Sequence, residues 1–236
     1  MKNRQLKLGN FLFKFRSFTP LPLILMVFVF FKPVDLGEKN IIINLIGLLI
    51  SLLGESIRVA AVGYSFSGTS GRESYLKADN LNTTGIYSVA RNPLYIGNFF
   101  IFSGLLVLFA NILALLIFAL FLLMQYYFII LAEEDFLKKE YGAAYESYCR
   151  QVGRIFPTFK NYKKNRDAFN FKKVVFKEND SLFNLLVMYL LLLLYKEKTF
   201  SAGIGSPVYY IIPGIFLVIS YIIIKIFKRG CGAPNL

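Results

Sequence analysis

Between Asn111 and Glu133 the chain carries no charged side chain, and Gln125 is the only amide in the run. About 20 consecutive apolar residues are what an α-helix needs to cross the hydrocarbon core of a bilayer. Further apolar stretches fall at 20–36, 40–62, 94–110, 181–195 and 207–227. Hydrophobic residues make up 56% of the 236-residue chain, above the roughly 45–50% of soluble domains, and the mean hydropathy is +0.54. Inside a bilayer every backbone polar group must be satisfied within its own segment, which leaves helices for runs of this kind. The expected fold is therefore all-α: a multi-pass integral membrane bundle of about six spans with a cytoplasmic helical extension. The stretch 181–195 is short and has to tilt or thin the bilayer. The stretches 94–110 and 112–132 are separated by little more than Asn111, which predicts a tight antiparallel hairpin.

The net charge is +13. The basic residues flank apolar runs, so anionic lipid head groups are the expected partner and nucleic acid is not. Lys2, Arg4, Lys7, Lys14 and Arg16 precede Pro20 with no acid among them. Segment 132–180 is dense in lysine and arginine, and Lys225, Lys228 and Arg229 lie near the end. The loops on the other side carry only Lys32, Lys39, Lys196 and Lys198. By the positive-inside rule both termini, loop 63–93 and segment 132–180 face the cytoplasm. The first apolar run lacks a small-residue cleavage pattern and reads as a retained span. Abundant Lys, Ile, Asn and Phe match an AT-rich bacterial genome, which points to a bacterial inner membrane. Three regions result: N-terminal membrane helices (1–62), a core (63–157), and a linker with C-terminal membrane helices (158–236). Within the last, 158–180 reads as a cytoplasmic linker.

Histidine is absent, which excludes His-based metal sites, triads and imidazole bases. Cys149 and Cys231 have no metal-like spacing, and no metal site is expected.

Two polar constellations border the hairpin. Arg91-Asn92-Pro93-Leu94-Tyr95-Ile96-Gly97 opens its first helix. Proline suits the first helical turn, which puts Asn92 at the N-cap. Glu133-Glu134 closes its second helix, and the chain runs on as a polar helix through Tyr148. Leu137, Tyr141, Tyr145 and Tyr148 follow helical steps on one face. Glu134 joins that face and Glu133 points about 100° away. Gly142 inside such a helix costs roughly 1 kcal/mol, which suggests close packing or a ligand. Upstream, Glu55 and Arg58 stand three apart and can pair along one helix. Ser67 to Arg72 has the glycine content of an anion-holding loop. Singly, each feature also has an ordinary reading: a capped helix, a solvated amphipathic face, a local ion pair.

Together and at this spacing, the constellations resemble the membrane methyltransferases that include isoprenylcysteine carboxyl methyltransferases and phospholipid methyltransferases. The matching residues are Gly85, Tyr87, Arg91, Pro93, Tyr95, Gly97, Glu133, Glu134, Leu137, Tyr141-Gly142, Tyr145, Tyr148, Val152, Arg154 and Pro157. The resemblance is close over 81–157 and loose over 54–80. It implies S-adenosylmethionine as cofactor and a membrane lipid as methyl acceptor. On this resemblance Tyr87, Arg91, Asn92, Pro93, Tyr95, Glu133, Glu134 and Tyr145 hold the cofactor, with Glu134 pairing its ammonium. Arg91 and Arg154 serve the reacting groups, and Glu55, Arg58 and Arg72 face the acceptor. The departure is Asn92, where the family usually has histidine. Asparagine does not titrate near neutral pH and cannot serve as a general base. The expected nucleophile is therefore already ionised: a lipid phosphate such as that of lipid A, or a prenyl-type carboxylate. N-methylation of a phospholipid amine, and a non-catalytic protein of the same fold, stay open as alternatives.

Overall fold

The computed structural model describes residues 2–66, 76, 78, 80–165, 168–200 and 208–230. Among them every regular element is helical: α1 (Lys2–Lys14), α2 (Pro20–Phe30), α3 (Lys39–Gly63), a 3₁₀ turn (Gly85–Ser88), α4 (Pro93–Val107), α5 (Ile112–Tyr141), α6 (Ala143–Gln151), α7 (Phe171–Phe200) and α8 (Val208–Gly230). The protein is an integral membrane helical bundle. Helices α3, α5, α7 and α8 are long and apolar enough to cross a membrane, while α2 and α4 are shorter apolar helices.

Six apolar helices alternate in direction, which puts α1 and the end of α8 at the same end of the bundle. At the far end Val34 N–H donates to the Phe109 carbonyl (2.8 Å). There the Asn111 side chain also accepts from Ala114 N–H at 3.1 Å and caps α5. This is the tight hairpin the sequence predicts, with Ala110 at φ +50° making the turn. At the near end Lys228 Nζ reaches the Phe176 carbonyl (3.1 Å).

Three expectations about elements change. The span expected at 20–36 is a helix only to Phe30, because Lys32 precedes Pro33 and the chain leaves the helix extended at Phe31 (φ −123°, ψ 141°). Its 11 residues cover roughly 16 Å of a hydrocarbon core about 30 Å thick. The linker expected over 158–180 ends at Asn170, where the Asn170 side chain accepts from Lys173 N–H (2.8 Å) and starts α7. The polar first turns of α7 are folded because the segment just after α3 satisfies them: Lys173 Nζ donates to the Ser65 carbonyl (2.6 Å) and hydroxyl (2.7 Å). The short span expected at 181–195 is thus the middle of a 30-residue helix. Finally, Gly142 lies between two helices, not inside one. Its φ of +51°, which side chains other than glycine rarely adopt, redirects the chain from α5 into α6.

Helices α3 and α4 form the scaffold. They run antiparallel, with Gly47, Ser51 and Gly54 facing Gly104, Ile101 and Gly97. Ser51 Oγ donates to the Ile101 carbonyl (3.0 Å). A Cβ on Gly54 would collide with the Gly97 carbonyl, and one on Gly104 with Ser51 Oγ and the Gly47 carbonyl. Lipid tails are as apolar as leucine, so membrane helices associate through close backbone contact of this kind.

Candidate active site

The near ends of α4 and α5 meet because their hairpin is short and antiparallel. Pro93 opens α4 and Asn92 occupies its N-cap position, but the Asn92 side chain makes no capping bond. Its Nδ2 donates instead to the Arg154 carbonyl (3.0 Å), and Arg91 N–H donates to the Gly153 carbonyl (2.9 Å). Thr158 N–H extends the pairing to the Val89 carbonyl (2.9 Å). The segment after α6 is therefore laced by its backbone to the entry of α4.

Side chains reinforce the lacing. Glu134 stands between two guanidinium groups, Arg91 at 3.1 Å and Arg154 at 2.5 Å. Arg91 also contacts the Cys149 sulfur. Its Nε is buried without a hydrogen-bond partner among the described residues. Tyr148 OH donates to the Tyr87 carbonyl (2.6 Å) and Tyr141 OH to the Ala78 carbonyl (2.7 Å). Burial lifts the phenols of Tyr87, Tyr145 and Tyr148 well above their usual range. A nearby carboxylate adds to the shift, Glu133 for Tyr87 and Glu134 for Tyr145. These hydroxyls are neutral donors at physiological pH.

A cavity of about 610 Å³ lies against this collar and runs inward between α1, α2, α4 and α7. Such a volume falls within the roughly 300–1,000 Å³ of small-molecule sites. Tyr87, Arg91, Asn92, Pro93, Tyr95, Glu133, Tyr145 and Arg58 line it; Glu134, Arg154 and Glu55 do not. The two neighbouring glutamates thus face different ways. Glu133 looks into the cavity and accepts from Tyr95 OH (2.9 Å), whereas Glu134 looks toward α6 and is spent on arginines. The sequence argument aligned Glu134 with a tyrosine stripe extending past Gly142, but the helix ends at Tyr141 and that stripe belongs to two helices. Leu137 lines the cavity one turn beyond Glu133, four residues on.

Glu55 and Arg58 do not pair with each other. Arg58 reaches across to Glu178 of α7 through its Nε (2.9 Å) and a terminal nitrogen (2.8 Å), and to Asn98 Oδ1 (2.5 Å). Glu55 accepts from Ser181 (2.8 Å), and its other oxygen is buried without a hydrogen-bond partner among the described residues. Arg72 and the loop from Ser67 lie outside the described residues. The sequence reading missed Asn98, Glu178, Ser181 and Asn184, all on the cavity wall. For Asn98 a signal existed, since an amide inside an apolar helix asks for a partner or a function.

Residues 43–144, which span most of α3 and all of α4 and α5, match the family model for phospholipid methyltransferases. No curated protein and no solved structure matches the chain. Over that segment the chain is similar to phospholipid methyltransferases, in keeping with the resemblance carried by Arg91, Pro93, Tyr95, Glu133 and Glu134.

Proposed function

We propose that this protein transfers a methyl group from S-adenosylmethionine to an ionised oxygen on a membrane lipid, a phosphate or a carboxylate. The observation that carries the reading is one cavity lined by both the Arg91 guanidinium and Glu133, whose carboxylate Tyr95 orients. The Arg91 guanidinium stands on the cavity wall, keeps an Nε–H that no described residue accepts, and suits a carboxylate. Glu133, oriented by Tyr95, suits an ammonium through a charge-assisted bond. An amino-acid zwitterion needs those two groups on one wall, so the residues present fit the cofactor. Tyr87, Tyr145 and Tyr148 supply aromatic and hydroxyl surface beside them. When bound, the cofactor supplies an electrophilic methyl group on a sulfonium.

The protein's remaining task is alignment. Glu134 fixes the guanidinium of Arg91, and Arg154, held by the same carboxylate, keeps its backbone carbonyl on Asn92. Two reactants held in line at about 3 Å gain most of their rate from this positioning. Among the described residues the charged groups on the cavity wall are three arginines and three carboxylates: Arg16, Arg58, Arg91, Glu133, Glu178 and Asp180. A cofactor with one net positive charge is best matched there by an acceptor with one negative charge. Asn92 spends its amide on the Arg154 carbonyl and removes no proton, which suits an acceptor that has none to lose. The near end of the bundle also carries α1 and Lys228, so the positive-inside rule supports a cytoplasmic site.

The test uses purified full-length protein in lipid nanodiscs, with methyl-labelled S-adenosylmethionine and either an alkyl phosphate or phosphatidylethanolamine. Label in a phosphate ester supports the reading. Label chiefly on the ethanolamine nitrogen overturns the acceptor and turns Glu133 into the proton acceptor. No calorimetric binding of the cofactor overturns the whole proposal.

A further inference from the structure

The cavity does not end at the arginine–glutamate collar. It continues past Arg58 and Asn184 to Ile101, Phe102 and Leu105 on α4 and to Leu185 and Met188 on α7. A second void of about 20 Å³ follows, and it shares Phe102, Leu105 and Met188 with the first. Every residue lining this second void is apolar, so it stays dry. Two of its lining rings, Phe28 and Phe109, join Tyr195 in a knot: Phe28 and Phe109 are 5.4 Å apart, Phe28 and Tyr195 5.0 Å, Phe109 and Tyr195 6.0 Å. Along α7 the distance from Ser181 to Tyr195 is roughly 21 Å at 1.5 Å per residue, comparable to an extended long acyl chain.

The polar start of this track is built with care. Arg58 spends its Nε and one N–H of each terminal nitrogen on Glu178 and Asn98. A guanidinium has five N–H donors in a fixed fork, so the remaining donors are left for a ligand. Glu178 comes from α7, which lies outside the segment that matches the family model.

We propose that α7 forms, with α2 and α4, the acceptor's own binding slot: an anionic head group sits at Arg58, and one alkyl chain runs along Phe102, Leu105 and Met188 toward the Phe28–Phe109–Tyr195 stop. The inference rests on the proposed lipid acceptor and adds where that lipid lies and what limits its chain. The first methylenes enter space that already exists beside Leu105. Farther in, the chain displaces Met188, an unbranched side chain that repacks readily. Glu178 is a positioning residue, since it acts on the ligand only through Arg58.

The experiment uses full-length protein in nanodiscs and hexadecyl phosphate with a photoreactive diazirine near the chain end. After illumination, the labelled peptides are mapped by mass spectrometry. Label concentrated on the inward faces of α4 and α7, and reduced at least fivefold by Met188→Trp, supports the slot. Label spread over the exposed faces of α8 and α5, as expected for bulk lipid, overturns it. A hexadecyl ammonium probe that labels the slot equally well overturns the role given to Arg58. Glu178→Gln is expected to weaken labelling by the phosphate probe several-fold while calorimetric cofactor affinity stays within twofold; unchanged labelling counts against the positioning role. If the cofactor never binds but the slot still labels, the slot stands and only the methyl-transfer reading falls.

Discussion

Replacing Glu134 with glutamine removes the negative charge that holds two guanidinium groups together. Arg91 and Glu134 are only 11% and 13% exposed, so water offers that pair little compensation. Arg154, 38% exposed, rehydrates more easily, and its share is small as for other surface pairs. Removing one partner of a buried pair costs about 3–5 kcal/mol. Glutamine keeps one acceptor oxygen for Arg91, which places the expected loss at the lower end, about 3 kcal/mol. In chains of this size 1 kcal/mol shifts Tm by about 2–4 °C, so the variant should melt roughly 6–12 °C lower. The chain has no tryptophan, so unfolding in detergent is followed by far-ultraviolet circular dichroism. Arg154→Met alone should cost only about 1 kcal/mol. The double variant should lose less than the sum, because Arg91 and Arg154 no longer repel across an uncharged amide. A Glu134→Gln protein melting within about 2 °C of wild type would refute the idea that this carboxylate braces the collar.

Other consequences are as direct. Tyr95→Phe removes the hydroxyl that orients Glu133. Bonds to charged groups are worth about 1.5–3 kcal/mol, so Tm should fall by at least about 3 °C and calorimetry should find cofactor affinity at least tenfold weaker. Gly104→Ala places a methyl group on Ser51 Oγ and the Gly47 carbonyl; overpacking costs about 1–3 kcal/mol, read as a lower Tm and a poorer yield of monodisperse protein. Gly142→Ala meets no neighbour within 4 Å, yet its positive φ should still cost about 1–3 kcal/mol. Equal melting of that variant and wild type would show that α6 can leave α5 by another route.

The long spans and the hairpin were legible because hydropathy and a lone asparagine encode them locally. So was the gathering of Arg91, Tyr95 and Glu133 at one end, since a short hairpin must return its ends to the same side. What stayed hidden depends on remote partners. Lys173 and Glu178 read as linker residues because Ser65 and Arg58, which make their burial tolerable, lie more than a hundred positions away in sequence. The Glu55–Arg58 spacing was a sound local signal that lost to a better partner on another helix. The roles of Glu133 and Glu134 hinged on where one helix stopped, and Gly142 reads equally well as an interior glycine until its φ is known. Helix α1 left little trace, because its basic residues also describe a free tail.

The glycine and serine contacts joining α3 to α4 carry a consequence for how such a protein can diverge. Where main chains touch directly, no rotamer is available to absorb a new methyl group, and any substitution shifts the helix axes themselves. That shift would reach Arg58 and Arg91, which hang from the same two rods. Adaptation toward new acceptors is thus channelled away from the seam and into the peripheral helices, where side chains alone can be exchanged.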